Sequence, residues 1–95
     1  MILEFTGEMI EWRGPAPFYF VRVPAAESAQ IREVATMVTY GWGVIPAEIS
    51  TGATTWSTSL IPKDGSFLVP VKNVARLGAG LELGQMVELT VEIDI

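Results

Sequence analysis

The clearest pattern in the chain is a strict alternation of apolar and polar residues from Met86 to the end. The apolar positions of this segment are Val87, Leu89, Val91, Ile93 and Ile95. Successive side chains of a strand point to opposite faces, so the alternation predicts a half-buried β-strand. We expect the apolar positions to face a core and the intervening acidic and hydroxyl residues to face water.

A second alternating segment lies at the start of the chain. Ile2–Met9 alternates apolar and polar residues, which predicts a first strand with one wet face. Beyond it, Ile10 and Trp12 break the alternation. Two interpretations remain open: a bulge near Met9 shifts the register, or the strand becomes covered on both sides.

The remaining strands are bounded by glycine and proline. Arg13–Pro17 predicts a tight turn, and Phe18–Val23 predicts a strand with apolar residues on both faces, ended by Pro24. Further strands are predicted after the glycine pair of 41–43, over Ala53–Ile61 and over Phe67–Val71. Thr51-Gly52 and Pro62-Lys-Asp-Gly are the predicted connections between them.

The longest predicted helix covers Ala25–Val38. The apolar residues of this segment recur at i, i+3, i+4 and i+7, namely Ile31, Val34, Ala35 and Val38. The charged residues Glu27, Arg32 and Glu33 fall elsewhere on the helical wheel. The spacing therefore predicts an amphipathic helix with one core face.

A shorter helix is predicted over Lys72–Leu77, with Val74 and Leu77 facing inward. Gly78 and Gly80 lie where a helix end favours positive φ, and Gly84 lies where the chain must turn into the last strand. The element order predicts a mainly β fold with α in one domain, 1–95. We expect a small closed or nearly closed β-barrel of about six strands with one amphipathic helix and one short helix.

Composition narrows the chemistry, because the sequence has no His and no Cys. Their absence removes disulfides, thiolate nucleophiles, Ser-His-Asp triads and the usual zinc sites. We therefore predict no metal, no cofactor and no catalytic residue. An enzyme is disfavoured, and the enzymatic alternatives that stay open use carboxylates or a lysine.

Charge and hydropathy bear on partners. The net charge of -5 opposes a nucleic-acid partner, because Lys and Arg supply most of the affinity for phosphates. No window reaches the roughly 18 apolar residues of a membrane span, and the first residues lack the basic region of a signal peptide, so we expect a cytoplasmic protein. The 49% of hydrophobic residues suggests the hypothesis of a homo-oligomer that buries excess apolar surface.

Short motifs carry a resemblance to a known family. They are Gly14-Pro15 before Phe18-Tyr-Phe-Val, Gly41-Trp-Gly-Val-Ile-Pro, Thr55-Trp-Ser-Thr-Ser-Leu-Ile-Pro, Phe67-Leu-Val-Pro-Val-Lys-Asn-Val-Ala-Arg and Leu83-Gly-Gln-Met-Val. In this order they resemble the bacterial domain of unknown function nineteen-oh-five. The resemblance implies a small β-barrel domain, alone or fused to another small domain, without an established activity. The chain departs from the family pattern at Gln85 and at Leu77-Gly78.

The last segment is also similar to the swapped-hairpin barrels of bacterial transcription regulators. Both have a proline-led short helix followed by a Leu-x-x-Gly-x-x-Val strand. That similarity implies a DNA-binding regulator, an alternative that the acidic balance of the chain opposes.

Arg22 is the most unusual charge, because a cation inside a barrel must be paired or must meet a ligand. A structural pair with Glu48 is the favoured explanation. If a ligand site exists, we predict a barrel mouth that takes a small anionic or aromatic molecule. Its predicted residues are Tyr19, Arg22, Trp42, Trp56, Lys72 and Arg76. The sequence thus predicts a binding or interaction module, with a structural, self-associating protein as the competing class.

Overall fold

The computed structural model describes residues 1–12, 18–38 and 44–95. The described residues form six strands and two helices. In chain order these are β1 (Ile2–Trp12), β2 (Phe18–Arg22), α1 (Ala25–Val38), β3 (Ile45–Thr51), β4 (Thr54–Lys63), β5 (Ser66–Val71), α2 (Asn73–Ala79) and β6 (Met86–Glu92). The predicted turn at 13–17, the loop at 41–43 and the side chain of Val38 lie outside the described residues.

The strands close into a barrel in the order β1-β2-β5-β4-β3-β6, which confirms the predicted mainly β fold. Every neighbouring pair is antiparallel. β1 closes the barrel because it has two partners: Ile2–Glu8 pairs with β6, and Met9–Trp12 pairs with β2. Each of the described strands therefore has a neighbour on both sides along part of its length.

The pairing of β1 is regular on both sides of Met9, so the bulge, one of the two open interpretations, does not form. The other interpretation, a strand covered on both sides, does not hold at Trp12, which is exposed. Ile10 and Trp12 keep the parity of the outer face, where Ile10 is half-buried and Trp12 is 65% exposed. The apolar residues at the end of β1 therefore belong to an apolar area on the outside of the barrel.

The core fills the interior of the barrel from all six described strands and α1. Its fully buried apolar side chains are Met9, Val21, Val23, Ile31, Ile45, Ile49, Leu60, Val69, Val91 and Ile93. The predicted apolar positions Val87, Leu89 and Val91 of β6 are buried, and so is Ile93, which follows the strand and donates its N–H to the carbonyl of Met1. Ile95 is exposed. Burial of these side chains is the main stabilising contribution to the fold.

α1 packs at the end of the barrel where β5 begins. Ile31 is fully buried and Ala35 packs against the core, which confirms the predicted amphipathic helix. The buried hydroxyl of Ser28 donates to the carbonyl oxygen of Val23 at 3.2 Å and accepts from the backbone N–H of Phe67 at 3.2 Å. Ser28 thus joins the start of α1 to the start of β5.

α2 packs at the opposite end, where β5 finishes, but with a different face from the predicted one. Val74 is 85% exposed and Leu77 is 70% exposed, whereas Ala75 is buried and Ala79 packs against the core. The small alanine side chains let the helix approach the barrel end closely. The prediction that Val74 and Leu77 face inward is therefore wrong.

Glycines set the turns of the barrel. Asp64 and Gly65 have φ of 50° and 79°, the signature of a two-residue hairpin turn, so β4 runs through Pro62 to Lys63 before it reverses. Gly80 has φ of 68° and its N–H approaches the carbonyls at the end of α2, as predicted for a helix stop. Gly78 is not the stop, since it lies within α2.

Candidate functional site at the α2 end of the barrel

Two of the predicted site residues, Tyr19 and Arg76, meet at the α2 end of the barrel. Tyr19 lies on β2 and is half-buried, with its backbone paired to Glu11 of β1 and Val71 of β5. Arg76 comes from α2, and its guanidinium carbon lies 4.3 Å from the centroid of the Tyr19 ring. At this distance the guanidinium stacks on the ring in a cation–π contact. We call this pair the mouth pair.

The guanidinium of Arg76 is not fully satisfied. Its Nε is buried, and none of the described residues accepts a hydrogen bond from it. The backbone of Arg76 is held by two hydrogen bonds. Its N–H donates to the carbonyl oxygen of Lys72 at 2.8 Å, and its carbonyl oxygen accepts from the N–H of Leu81 at 2.9 Å. A fixed donor without an acceptor is what a site for an anionic group requires.

Lys72 is near the mouth pair along the chain but is oriented differently. It occupies the N-cap position of α2 in extended conformation and is exposed, whereas Arg76 is half-buried. The two cations therefore share one turn of helix, with Arg76 held by packing and Lys72 in solvent. Lys72 can add positive potential at the mouth without a fixed contact.

Trp56 belongs to the wall of the barrel. It is buried in the core, and its indole N–H donates to the carbonyl of Pro70 at 2.9 Å. This bond satisfies the only polar atom of the side chain and links β4 to β5. Trp56 thus supports the mouth from within, while Trp42 lies outside the described residues.

Arg22 does not lie at the mouth. Its side chain is exposed on the outer face of β2, opposite Leu68 of β5. The expected pair with Glu48 does not form, because β2 and β3 lie on opposite sides of the barrel, with two other strands between them in either direction. The carboxylate of Glu48 instead accepts a hydrogen bond from Ser57 at 2.8 Å.

Arg22 instead borders an apolar groove that the sequence interpretation missed. This outer groove crosses the outside of β1, β2, β5 and β4 and has a volume of about 210 Å³. Its apolar lining consists of Ile10, Trp12, Phe20, Ile61 and Leu68. The signal was present in the sequence, because Phe18–Val23 is apolar on both faces and Ile10 and Trp12 break the alternation of β1.

Carboxylates gather elsewhere on the outer surface. One cleft, of about 490 Å³, is lined by Glu4, Glu88 and hydroxyl residues of β1, β3 and β6. Within the described ranges, no three His, Cys, Asp or Glu side chains are close enough to hold a metal ion. Neither of the described helices is long and apolar enough to cross a membrane.

A family model described as Domain of unknown function (DUF1905) matches residues 5–91. The chain belongs to this family. The match to DUF1905 contains the mouth pair, Trp56 and all residues of the outer groove. No curated protein and no solved structure matches the chain.

Proposed function

We propose that this DUF1905 domain is a binding module for a small molecule that carries a carboxylate or phosphate group, held at the α2 end of the barrel by Arg76. The observation that carries the proposal is the buried Nε of Arg76, which has no acceptor among the described residues. An unpaired N–H of a charged group costs free energy when it is buried. A ligand oxygen at this position would recover that cost.

The stacking on Tyr19 favours one geometry of ligand contact. Tyr19 covers a face of the guanidinium at 4.3 Å, so a ligand must approach Nε–H in the guanidinium plane. Because Nε is buried, the ligand oxygen must displace the side chains that cover it. A carboxylate or phosphate can bind the edge that carries Nε–H with two parallel bonds, one from Nε and one from a terminal nitrogen. An aromatic ring attached to the anion would extend the stack that Tyr19 begins.

The ligand belongs at the mouth, because the interior of the barrel is occupied. Ile49, Leu60 and Val91 are fully buried in its centre, and the described strands all contribute side chains to one continuous core. Lys72 adds a second positive charge one helical turn before Arg76. Trp42, which the sequence interpretation included, stays a prediction of the proposed site.

Nuclear magnetic resonance of the ¹⁵N-labelled domain tests the proposal directly. We expect benzoate and inorganic phosphate to shift the Arg76 Nε–H resonance at about millimolar concentration, and benzamide, the neutral analogue of benzoate, to leave it unchanged. The charge-assisted bond, which the neutral amide lacks, is the reason for the difference. An Arg76 Nε–H resonance whose chemical shift is unchanged by both benzoate and phosphate would contradict the proposal.

A conservative substitution separates charge from geometry. Arg76→Lys keeps the positive charge but removes Nε and the planar edge, so we expect benzoate to bind about tenfold more weakly. Arg32→Lys is the matched control, since Arg32 is exposed on α1 at the other end of the barrel. Equal benzoate affinity in wild type and Arg76→Lys would mean that Arg76 does not hold the anion.

A further inference from the structure

The helix α2 is attached to the barrel by small apolar side chains. Of its seven residues, all of them described, only Ala75 is buried, and Ala79 is half-buried against the core. The larger side chains of Val74 and Leu77 are exposed to solvent. Burial of a methyl group removes little apolar surface from water, so packing on the barrel stabilises α2 only weakly.

The local sequence of α2 adds little to its stability. Lys72 occupies the N-cap position, and a lysine side chain has no acceptor for the free N–H groups of the first turn. Gly78 lies within the helix, where glycine is less favourable than alanine. Isolated helices shorter than about 12 residues are only marginally stable in water, so α2 unwinds once it leaves the barrel.

The other helix, α1, is anchored much more strongly at its own end of the barrel. Ile31 is fully buried, and the buried hydroxyl of Ser28 makes two hydrogen bonds to backbone atoms. The guanidinium of Arg32 donates a further hydrogen bond to the carbonyl oxygen of Gly65. Local opening starts in segments with few buried apolar contacts, so we expect α2 to open at a much lower free energy than α1.

Arg76 moves with α2. Arg76 and Ala79 are three residues apart, so their side chains lie on the same face of the helix, toward the barrel. The guanidinium stacks on Tyr19, and its Nε is buried without an acceptor among the described residues. An anion in solution cannot touch Nε while α2 is packed on the barrel, and opening of α2 uncovers it.

We infer that α2 is a lid that controls access of the anion to Arg76. The inference rests on the proposed function, because the molecule that passes the lid is the anion that Arg76 holds. α2 unwinds from the barrel end, the carboxylate or phosphate enters, and α2 folds back with Arg76 on Tyr19. The lid therefore limits the rates of binding and release, and it leaves the affinity of the closed complex unchanged.

Amide hydrogen exchange of the ligand-free domain, measured by nuclear magnetic resonance, tests the opening of α2. The amides of Arg76 and Ser28 form a matched pair, because each donates the first-turn hydrogen bond of its helix. Their acceptors are the carbonyl oxygens of Lys72 at 2.8 Å and Pro24 at 2.9 Å. After correction for intrinsic rates, we expect the Arg76 amide to exchange at least about a hundredfold faster than the Ser28 amide. Equal exchange of the two amides would overturn the inference.

Gly78→Ala tests whether this opening controls ligand access. The substitution favours the helical state without a new contact, since nothing lies within 4 Å of a Cβ atom at Gly78. We expect exchange of the Arg76 amide to slow about fivefold. Binding and release of benzoate, measured from the line shape of the Arg76 Nε–H resonance, should slow by the same factor at an unchanged dissociation constant. Gln30→Ala, at an exposed position of α1, is the matched control and should alter neither rate.

The two measurements separate the lid from the proposed function. Equal rates of benzoate binding in wild type and Gly78→Ala would overturn the lid, although the anion site would stand. An Arg76 amide that exchanges rapidly, in a domain that responds to neither benzoate nor phosphate, would overturn the proposed function and the lid with it. Only the local opening of α2 would then remain.

Discussion

Gly7 of β1 lies close to the backbone at the end of β2. A Cβ atom at Gly7 would be 2.2 Å from the carbonyl oxygen of Arg22 and 2.8 Å from Cγ1 of Val21. Near this point β1 passes from pairing with β6 to pairing with β2. Glycine within a strand often marks such a corner, where backbones approach each other.

We expect Gly7→Ala to lower the free energy of unfolding by about 1–3 kcal/mol, because an added methyl group would force the paired backbone of β2 to move. Urea denaturation of both proteins measures the difference. Gly78→Ala is the control, since nothing lies within 4 Å of a Cβ atom there and Gly78 is helical. The control should be neutral or more stable by up to about 1 kcal/mol. Equal urea midpoints for wild type and Gly7→Ala would contradict the steric account.

The residue types of Tyr19 and Arg76 were sufficient to predict that both belong to a candidate site. They were not sufficient to predict that the two side chains contact each other. A cation and an aromatic residue in a barrel predict a candidate mouth, and both do lie at one end. The contact between Arg76 and Tyr19 depends on how α2 packs on the barrel relative to β2. The local sequence does not determine that packing. Arg22 shows the opposite outcome: its type suggested the same site, but the parity of β2 directs it outward.

At the scale of elements, α2 shows how a short helix can mislead. Val74 and Leu77 form one apolar stripe, and Ala75 and Ala79 form another, so seven helical residues offer two faces to the barrel. From the sequence, the larger side chains of Val74 and Leu77 favour the first stripe as the buried face. The close approach of helix to barrel selects the second, and Leu81 then fills the remaining space after the turn at Gly80.

Because Ala75 and not Val74 faces the barrel, substitutions at the two positions should differ in their effect on stability. Ala75→Leu should lower the free energy of unfolding by about 1–3 kcal/mol, because the larger side chain is forced into a packed contact. Val74→Gln should change it by less than about 0.5 kcal/mol, since Val74 is exposed. Thermal unfolding, monitored by circular dichroism, compares the stabilities of the two variants. The reverse ranking would show that Val74 faces the barrel.

The strands were more predictable than the helix because most of them have one wet face. The alternation in β6 and in the first part of β1 directly gives the inward side. Prediction fails where the outer face is also apolar, at Ile10, Trp12 and Phe20. When both faces of a strand are apolar, the alternation does not show which face points into the barrel. Only the closed barrel shows that these residues share an outer surface.

At the scale of the whole molecule, exposed carboxylates are concentrated on one side of the barrel. β1, β3 and β6 contain no Lys or Arg, and their exposed carboxylates are Glu4, Glu8, Glu48, Glu88 and Glu92. The outer groove, which lies across β2, β5 and β4 and the end of β1, is lined by both signs of charge, with Arg22 and Lys63 beside Glu11 and Asp64. An acidic side such as that of β1, β3 and β6 repels polyanions, including nucleic acid.

The acidic side contains one direct conflict of like charges, between Glu48 of β3 and Glu92 of β6. They are cross-strand partners in register, and like charges at such positions are destabilising. We expect Glu92→Lys to raise the free energy of unfolding by about 0.2–1 kcal/mol in low salt, because it converts repulsion into attraction. Urea denaturation at low salt and at about 1 M NaCl measures this gain and its screening.

Glu33→Lys on α1 makes the same change of net charge without an opposing strand carboxylate, so it isolates the pair from the general effect of lowering the charge of -5. The gain from Glu92→Lys should exceed that from Glu33→Lys in low salt, and the difference should shrink in high salt because the Debye length falls to about 3 Å. Equal gains from the two variants would mean that net charge, and not the register of β3 against β6, governs the electrostatic part of stability.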